Sequence, residues 1–245
     1  MIPKKIHYIW VGGNEMPDFI KKCIKSWEKY CPDYEIIRWD ETNLDIHKYK
    51  YAFDAYQNKK WAFFSDVHRF DILKTHGGIY LDVDVELFKG LDEFLDCDFF
   101  SAFEDDKYVN PGLVMGATPN NKVCEEIVSK YEKLTFDKNK LITVCEISTK
   151  FFIDKYNLAP NGKLQHLGDN ISIFSPDYFC PKNYKTGEIV KTDNTVSIHH
   201  YYASWVAKPS LLTKIKGFIK TVIKKIIGKK NVEKIRAKRN KKNGL

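Results

Sequence analysis

Apolar residues along the first 200 positions fall into short continuous runs separated by stretches with three- and four-residue spacing. Ile6-His7-Tyr8-Ile9-Trp10-Val11 is one such run, closed by Gly12-Gly13, the pattern of a buried first strand meeting a tight turn. Phe19, Ile20, Cys23, Ile24 and Trp27 recur at helical spacing between Pro17 and Tyr30, and Pro32 ends that segment. Residues 34–39 predict a second strand. Helical spacing then runs from Ile46 to about His76, in two or three segments, and stops at Gly77-Gly78. Ile79-Tyr80-Leu81 predicts a short strand leading into Asp82-Val83-Asp84. Further strands are expected at 98–103, 113–117, 171–174 and 196–202, and helices at 120–134 and 143–156. Strands alternating with helices predict an α/β sheet, parallel at least in its first half. No Pro/Gly-rich linker or repeat divides this body, so one domain is expected over 1–207 with a separate segment over 208–245.

That last segment differs in kind. Leu211, Leu212, Ile215, Phe218, Ile219, Val222, Ile223, Ile226 and Ile227 form one apolar stripe with lysines between them, predicting an amphipathic helix over 209–227 that Gly228 stops. Residues 208–245 hold 12 Lys, 2 Arg and one acid, Glu233, and carry +13; the rest of the chain carries −5, although the whole has a net +8. A basic cleft for nucleic acid across the body is therefore not expected. The tail suits an anionic membrane surface, where each nearby cation adds about 1 kcal/mol; a helix docked on its own domain is the alternative. The six cysteines form no C-x-x-C pair and read as reduced thiols. With no apolar run of membrane-spanning length and no signal-peptide pattern at the start, the expectation is a cytoplasmic protein, peripheral at the inner face of the cell membrane.

The sharpest chemical feature is Gly77-Gly78-Ile79-Tyr80-Leu81-Asp82-Val83-Asp84. An apolar strand delivers two carboxylates beyond its end, where open α/β sheets place ligand sites. Two like charges so close need a cation or donors, and a hard ion with oxygen ligands, Mg²⁺ or Mn²⁺, would serve. A plain acidic loop is the competing explanation. Upstream, Asp66 and Arg69 are three residues apart on one helical face, in Ser65-Asp66-Val67-His68-Arg69, and the Gly-Gly turn leads from that helix to the acids.

Together, the S-D-x-x-R helix, the G-G-x-Y-x-D-x-D strand end and the N-terminal I-H-Y-I-W-V-G-G resemble the sugar-binding signature of the DXD glycosyltransferases of family 32. That group includes initiating mannosyltransferases and bacterial capsule and lipopolysaccharide transferases, with clostridial toxin glucosyltransferase domains as more distant relatives. The resemblance covers about residues 4–206. It implies a GT-A fold, a UDP- or GDP-sugar donor and a Mn²⁺ or Mg²⁺ ion. It implies Asp84 as metal ligand, Asp82 against the donor's ribose and sugar as well as near the metal, and Asp66 with Arg69 on sugar hydroxyls and phosphate. Ser65 and Val83 flank these contacts. Trp10 falls where the family stacks the base, with a core role as the alternative, and Gly12 and Gly13 let backbone approach the nucleotide. His7 reads as a packed core residue.

Near the other end, Ser197-Ile198-His199-His200-Tyr201-Tyr202-Ala203-Ser204-Trp205 is similar to the H-x-x-x-x-S-W segment with which such transferases close the metal shell. Adjacent strand residues face opposite ways, so only one histidine reaches the site; the register makes His199 the first choice and His200 the second. Ser204 and Trp205 would cap the diphosphate, and Lys208 would neutralise its charge. Asn110, in Asn110-Pro111-Gly112, is the polar candidate on the strand that lines donor sugar and acceptor. The resemblance implies transfer with retention to a glycan or lipid-linked glycan hydroxyl, as in capsular or surface polysaccharide synthesis, without a dedicated enzymic nucleophile. Two other readings stand beside it: a non-catalytic membrane or polyanion adaptor with a degenerate transferase body, and a haloacid-dehalogenase-type phosphatase whose nucleophile loop Leu81-Asp82-Val83-Asp84-Val85 resembles.

Overall fold

A computed structural model of the 245-residue chain describes residues 1–168, 170–184 and 186–202. Ser204, Trp205, Lys208 and the predicted helix 209–227 lie outside the described residues. In chain order the elements are β1 (Lys5–Ile9), α1 (Asp18–Tyr30), β2 (Glu35–Trp39), α2 (Lys50–Gln57), α3 (Trp61–His76), β3 (Gly78–Tyr80), β4 (Val85–Leu87), β5 (Phe99–Ala102), β6 (Met115–Ala117), α4 (Lys122–Glu132), α5 (Val144–Tyr156), β7 (Gln165–Leu167), β8 (Ile171–Phe174), α6 (Pro176–Phe179) and β9 (Ser197–His199). A 3-10 turn at Asp92–Phe94 precedes β5.

Seven strands form one sheet in the order β2-β1-β3-β6-β5-β8-β7, and β4 pairs with β9 separately. β1 is parallel to β2 and β3, β6 runs antiparallel to both β3 and β5, β5 is parallel to β8, and β7 is antiparallel to β8. This is the α/β sheet flanked by helices that the pattern predicts, parallel in its first half. Period-two alternation sends Phe99 into one apolar cluster and Phe100 into the other, so each sheet face has its own core. On one face α1 buries Ile20, Cys23 and Trp27, and the Trp27 indole donates to the Val85 carbonyl at 2.8 Å.

The helical stretch expected from Ile46 to His76 divides into two segments, as its pattern predicts, with the break between Gln57 and Trp61, where Lys59 adopts φ +55; only its start, at Lys50, is later. α3 then runs under the sheet and buries polar Ser65, Asp66, His68, Arg69 and Asp71 beside Phe64, Val67, Phe70, Ile72 and Leu73. It ends at Gly77 (φ +63), followed by Gly78 (φ +100). A Cβ on Gly77 would lie 2.6 Å from the Pro119 ring, and one on Gly78 2.9 Å from the Lys5 carbonyl. Left-handed backbone and close packing thus both require glycine, and together they swing the chain from α3 straight into β3. Strands β4 and β7 and the four-residue α6 were not expected. His7 is a fully buried core residue, its Nε2 2.9 Å from the Gly77 carbonyl and its Nδ1 receiving the Trp39 indole N–H. All six cysteines are free thiols.

Candidate active site

β1 and β3 are parallel, so their carboxyl ends reach the same edge of the sheet, one delivering Trp10 and the other Asp82. The edge is where such sheets bind ligands. After β3 the chain turns through Asp82–Val85, where the Val85 N–H donates to the Asp82 carbonyl at 3.0 Å, and enters β4. β4 pairs with β9, and that pairing sets His199 opposite Val85. Two distant stretches of sequence therefore meet at Asp84.

Asp84 is buried. Its Oδ2 accepts the Tyr202 backbone N–H at 2.6 Å, and its own carbonyl accepts the His200 N–H at 3.0 Å. The buried His199 ring places Nε2 3.1 Å from Asp84 Oδ1 and 3.9 Å from Asp82 Oδ2. Despite that proximity, neither Asp84 Oδ1 nor either His199 ring nitrogen has a well-angled hydrogen bond among the described residues. The Asp82 Oδ1 accepts from the Tyr80 hydroxyl at 3.2 Å and lies 3.4 Å from Arg69 Nη2.

Behind Asp82, Arg69 is 3% exposed and is held by Asp66 Oδ1 at 3.1 Å, by Ser65 Oγ at 2.8 Å and by the Tyr80 ring, 4.8 Å from its guanidinium carbon. Its Nη1 has no hydrogen-bond partner among the described residues. An (i, i+3) pair on an exposed helix adds only tenths of a kcal/mol; buried, losing one partner strands a charge at about 3–5 kcal/mol. Asp66 and Arg69 thus lie beneath the surface as a support for Asp82.

The charges divide the carboxylates. Burial pushes Asp66 up to about 7; Arg69 opposes this and Asp82 adds to it. Burial also raises Asp82, against the pull of Arg69 and His199. Burial acts on Asp84 in the same direction, but His199 and the Tyr202 N–H outweigh it and hold its pKa at about 2. For His199 burial is unfavourable to the charged ring, yet Asp84 and Asp82 raise its pKa overall. Asp84 is thus the carboxylate kept ionised at this corner.

A divalent ion fits this donor set. Asp84 Oδ1 and His199 Nε2 are two buried atoms able to ligate a metal, the imidazole once its proton is displaced, and they lie close together without a well-angled hydrogen bond at the end of an acidic strand. Among the described residues no three His, Cys, Asp or Glu side chains converge as a complete cage. The fit is therefore to an ion with few protein ligands and remaining positions for phosphate oxygens, the usual state of Mg²⁺ and related ions.

His200 is a correction. It faces the opposite way, as strand alternation dictates, with Nε2 2.8 Å from Glu86 Oε2 and Phe19 at its ring edge. Trp10 is half-buried and its indole donates to the Asn14 carbonyl at 2.9 Å. Gly12 (φ +94) donates its N–H to Glu41 Oε1 at 2.6 Å, and Gly13 (φ +68) has open space on its Cβ side. Val83 packs into the core between the two acids. Asn110 bridges the Gly112 N–H, accepted at 2.7 Å, and the Glu104 carboxylate, to which it donates at 2.9 Å. Two residues that the sequence did not single out complete the corner. Gly112 packs so tightly that a Cβ there would lie 2.2 Å from Asp82 Oδ2, and the Tyr202 N–H fixes Asp84. A glycine in a turn-like N-P-G gives no hint of this contact.

A family model described as the glycosyltransferase sugar-binding region containing the DXD motif matches residues 17–100. An uncharacterized glycosyltransferase of Acanthamoeba polyphaga mimivirus is 30% identical over 220 residues, covering 84% of each chain. Inositol phosphoceramide mannosyltransferase 3 of Schizosaccharomyces pombe is 37% identical over 98 residues, which are 38% of this chain and 27% of that protein. Among solved structures, a glycosyltransferase involved in glycosylation of the major capsid of PBCV-1 superposes with a TM-score of 0.47 at 14% identity, covering 82% of this chain and 94% of that one. The mimivirus match, which covers 84% of the chain, sets aside the phosphatase alternative: the chain belongs to the DXD-motif glycosyltransferases.

Proposed function

We propose that the protein is a retaining, metal-dependent glycosyltransferase that moves a sugar from a UDP- or GDP-sugar to an acceptor hydroxyl. The observation that carries this reading is the pair of buried atoms, Asp84 Oδ1 and His199 Nε2, facing each other without hydrogen bonds beyond β3. Mn²⁺ or Mg²⁺ held there would act as a Lewis acid toward the negative charge that grows on the departing diphosphate. Asp84, kept ionised, would supply the charge that holds the ion. Arg69 and Tyr80 fix the Asp82 carboxylate at the strand end, leaving its Oδ2 for donor hydroxyls. Ser204, Trp205 and Lys208, the sequence's candidates for the diphosphate, lie outside the described residues.

In this reading the acceptor is a glycan or lipid-linked glycan of a capsular or surface polysaccharide. The basic segment 208–245 rests on the anionic inner face of the cell membrane. Among the described residues no helix is long and apolar enough to cross a membrane.

The deciding experiment screens a panel of UDP- and GDP-sugars for slow hydrolysis with Mn²⁺, in the wild type and in Asp84→Ala. Turnover in the wild type and a loss of at least about 10²-fold in the variant are expected, the scale of removing one group that stabilises transition-state charge. Unchanged turnover and unchanged metal dependence would refute the reading. A non-catalytic adaptor would bind neither UDP nor Mn²⁺ in titration calorimetry.

A further inference from the structure

Beside the carboxylate corner lies a cavity of about 410 Å³, lined by Tyr108, Tyr184, Tyr201, Glu104, Thr143, Cys145 and Glu146. It shares two walls with the corner. The Tyr201 ring lies 4.3 Å from the His199 ring, nearly perpendicular to it. Tyr201 adopts φ +55, a conformation rare for a bulky residue, and its hydroxyl lies 3.0 Å from the Cys180 thiol, so the ring is pinned from both ends. The second wall is Glu104, joined through Asn110 to Gly112 and so to Asp82 Oδ2. An object in this cavity sits one side chain away from Asp82 and His199.

The lining states what that object is. Glu146 is occupied, its Oε2 accepting the Thr143 N–H and hydroxyl at the start of α5. Glu104 is partly engaged through Oε2, and burial raises its pKa against the Asn110 hydrogen bond. No described lining residue is basic. With two carboxylates and no cation among the described lining residues, the cavity disfavours an anionic guest, while an acceptor-only carboxylate calls for a hydroxyl or N–H donor. Three phenol rings give flat faces for the C–H face of a sugar ring and hydroxyls for its edge.

We propose that this cavity is the acceptor subsite, that its guest is a neutral polyol ring carrying no phosphate, and that Glu104 accepts the hydrogen bond of the attacking hydroxyl. This rests on the transferase reading above. In the transfer, the acceptor oxygen bonds to the anomeric carbon as the bond from that carbon to the diphosphate breaks. The electron pair leaves with the diphosphate, and the hydroxyl proton, shared between Glu104 and the departing oxygen as the bonds change, ends on that oxygen. Glu104 orients the O–H and ends the step ionised, as it began.

Saturation-transfer NMR on the full chain tests the guest. The probes are myo-inositol, methyl α-mannopyranoside, methyl β-galactopyranoside, mannose 6-phosphate and tetramethylammonium, with wild type and Tyr184→Ala. Tyr184 is 73% exposed, so its truncation leaves the core intact. At least one neutral polyol should bind, at least tenfold more weakly to the variant. No polyol binding, or equal or tighter binding of the phosphate or the quaternary ammonium, overturns the proposal. For Glu104→Gln, which keeps an acceptor for Asn110, the ratio of transfer to donor hydrolysis should fall at least tenfold. If transfer and hydrolysis decline together, or UDP affinity drops with them, the cavity belongs to the donor and the proposal fails. Polyol binding that Tyr184→Ala weakens, in a protein that hydrolyses no nucleotide sugar, would leave the subsite standing and sink the transferase reading alone.

Discussion

Gly112→Ala isolates one steric contact. The backbone of Gly112 lies outside the left-handed region, so alanine brings no torsional strain there. The added methyl would sit 2.2 Å from Asp82 Oδ2, 2.9 Å from Arg69 Nη1 and 3.0 Å from Asn110 Oδ1. An ordinary carbon–oxygen contact is roughly 3.3 Å, so the Asp82 carboxylate or the 112 backbone must move by about 1 Å. Asp82 is held by the Tyr80 hydroxyl and Arg69 on its other oxygen, and both contacts are already long at 3.2 and 3.4 Å, so the carboxylate gives way first. A displacement of about 1 Å in an active site costs on the order of 10²-fold in rate. Overpacking costs about 1–3 kcal/mol, offset by about 0.5 kcal/mol from the stiffer unfolded chain, so Tm should fall by roughly 1–10 °C. The assay pairs Mn²⁺-dependent hydrolysis of the best donor with thermal unfolding. Gly168→Ala, which has nothing within 4 Å of its Cβ, is the control and should shift neither. Wild-type turnover in Gly112→Ala would refute the argument that Asp82 works from the position in which Gly112 leaves it.

Three other outcomes follow from the buried charges and the tail. His7 and His68 are buried, and burial lowers both to about 4 from 6.5, so each is neutral in the fold and charges more readily when unfolded. Stability should be full above pH 6.5 and fall as pH drops toward 4, by an order of 3 kcal/mol per histidine at most; urea melts across that range check it, with a shallower slope in His68→Leu. Calorimetry should find Mn²⁺ affinity at least tenfold weaker in His199→Ala and within twofold of wild type in His200→Ala, because His200 pairs with Glu86. Deleting 209–245 should release the protein from anionic vesicles in sedimentation, and unchanged sedimentation would rule out the tail as the contact.

The longer elements were legible because their signals are periodic over many residues. α1 repeats its apolar stripe over three turns, and β1 ends on a Gly-Gly turn, so both were placed within two residues. β4 and β7 are no shorter than β3, but β7 reads Gln165-His166-Leu167 with no apolar run, and Val85-Glu86-Leu87 continues directly from the acidic motif. At the site, residues that announce themselves by charge were found: Asp66, Arg69, Asp82, Asp84 and His199 do converge. Alternation limited the histidines to one and the resemblance put His199 first; the β4–β9 register, with His199 opposite Val85, is what brings it to Asp84. Gly112 acts by what it lacks, Tyr202 through its backbone, and Glu104 sits within an acidic Glu104-Asp105-Asp106 turn that resembles any solvated loop. None of these contributions has a residue-type signature.

The Tyr202 N–H that clasps Asp84 comes from 118 positions further along the chain. During synthesis, β1, β3 and β6 all emerge before that clasp, and even β8, whose pairing with β5 extends the sheet, ends at Phe174, ahead of Tyr202. Until it docks, the DXD strand end has its carboxylates but neither the imidazole nor the amide that hold Asp84 ionised and aimed. A nascent or truncated chain ending before β9 would thus be a folded sheet with an unfinished metal corner, and competence would arrive only with the final strand.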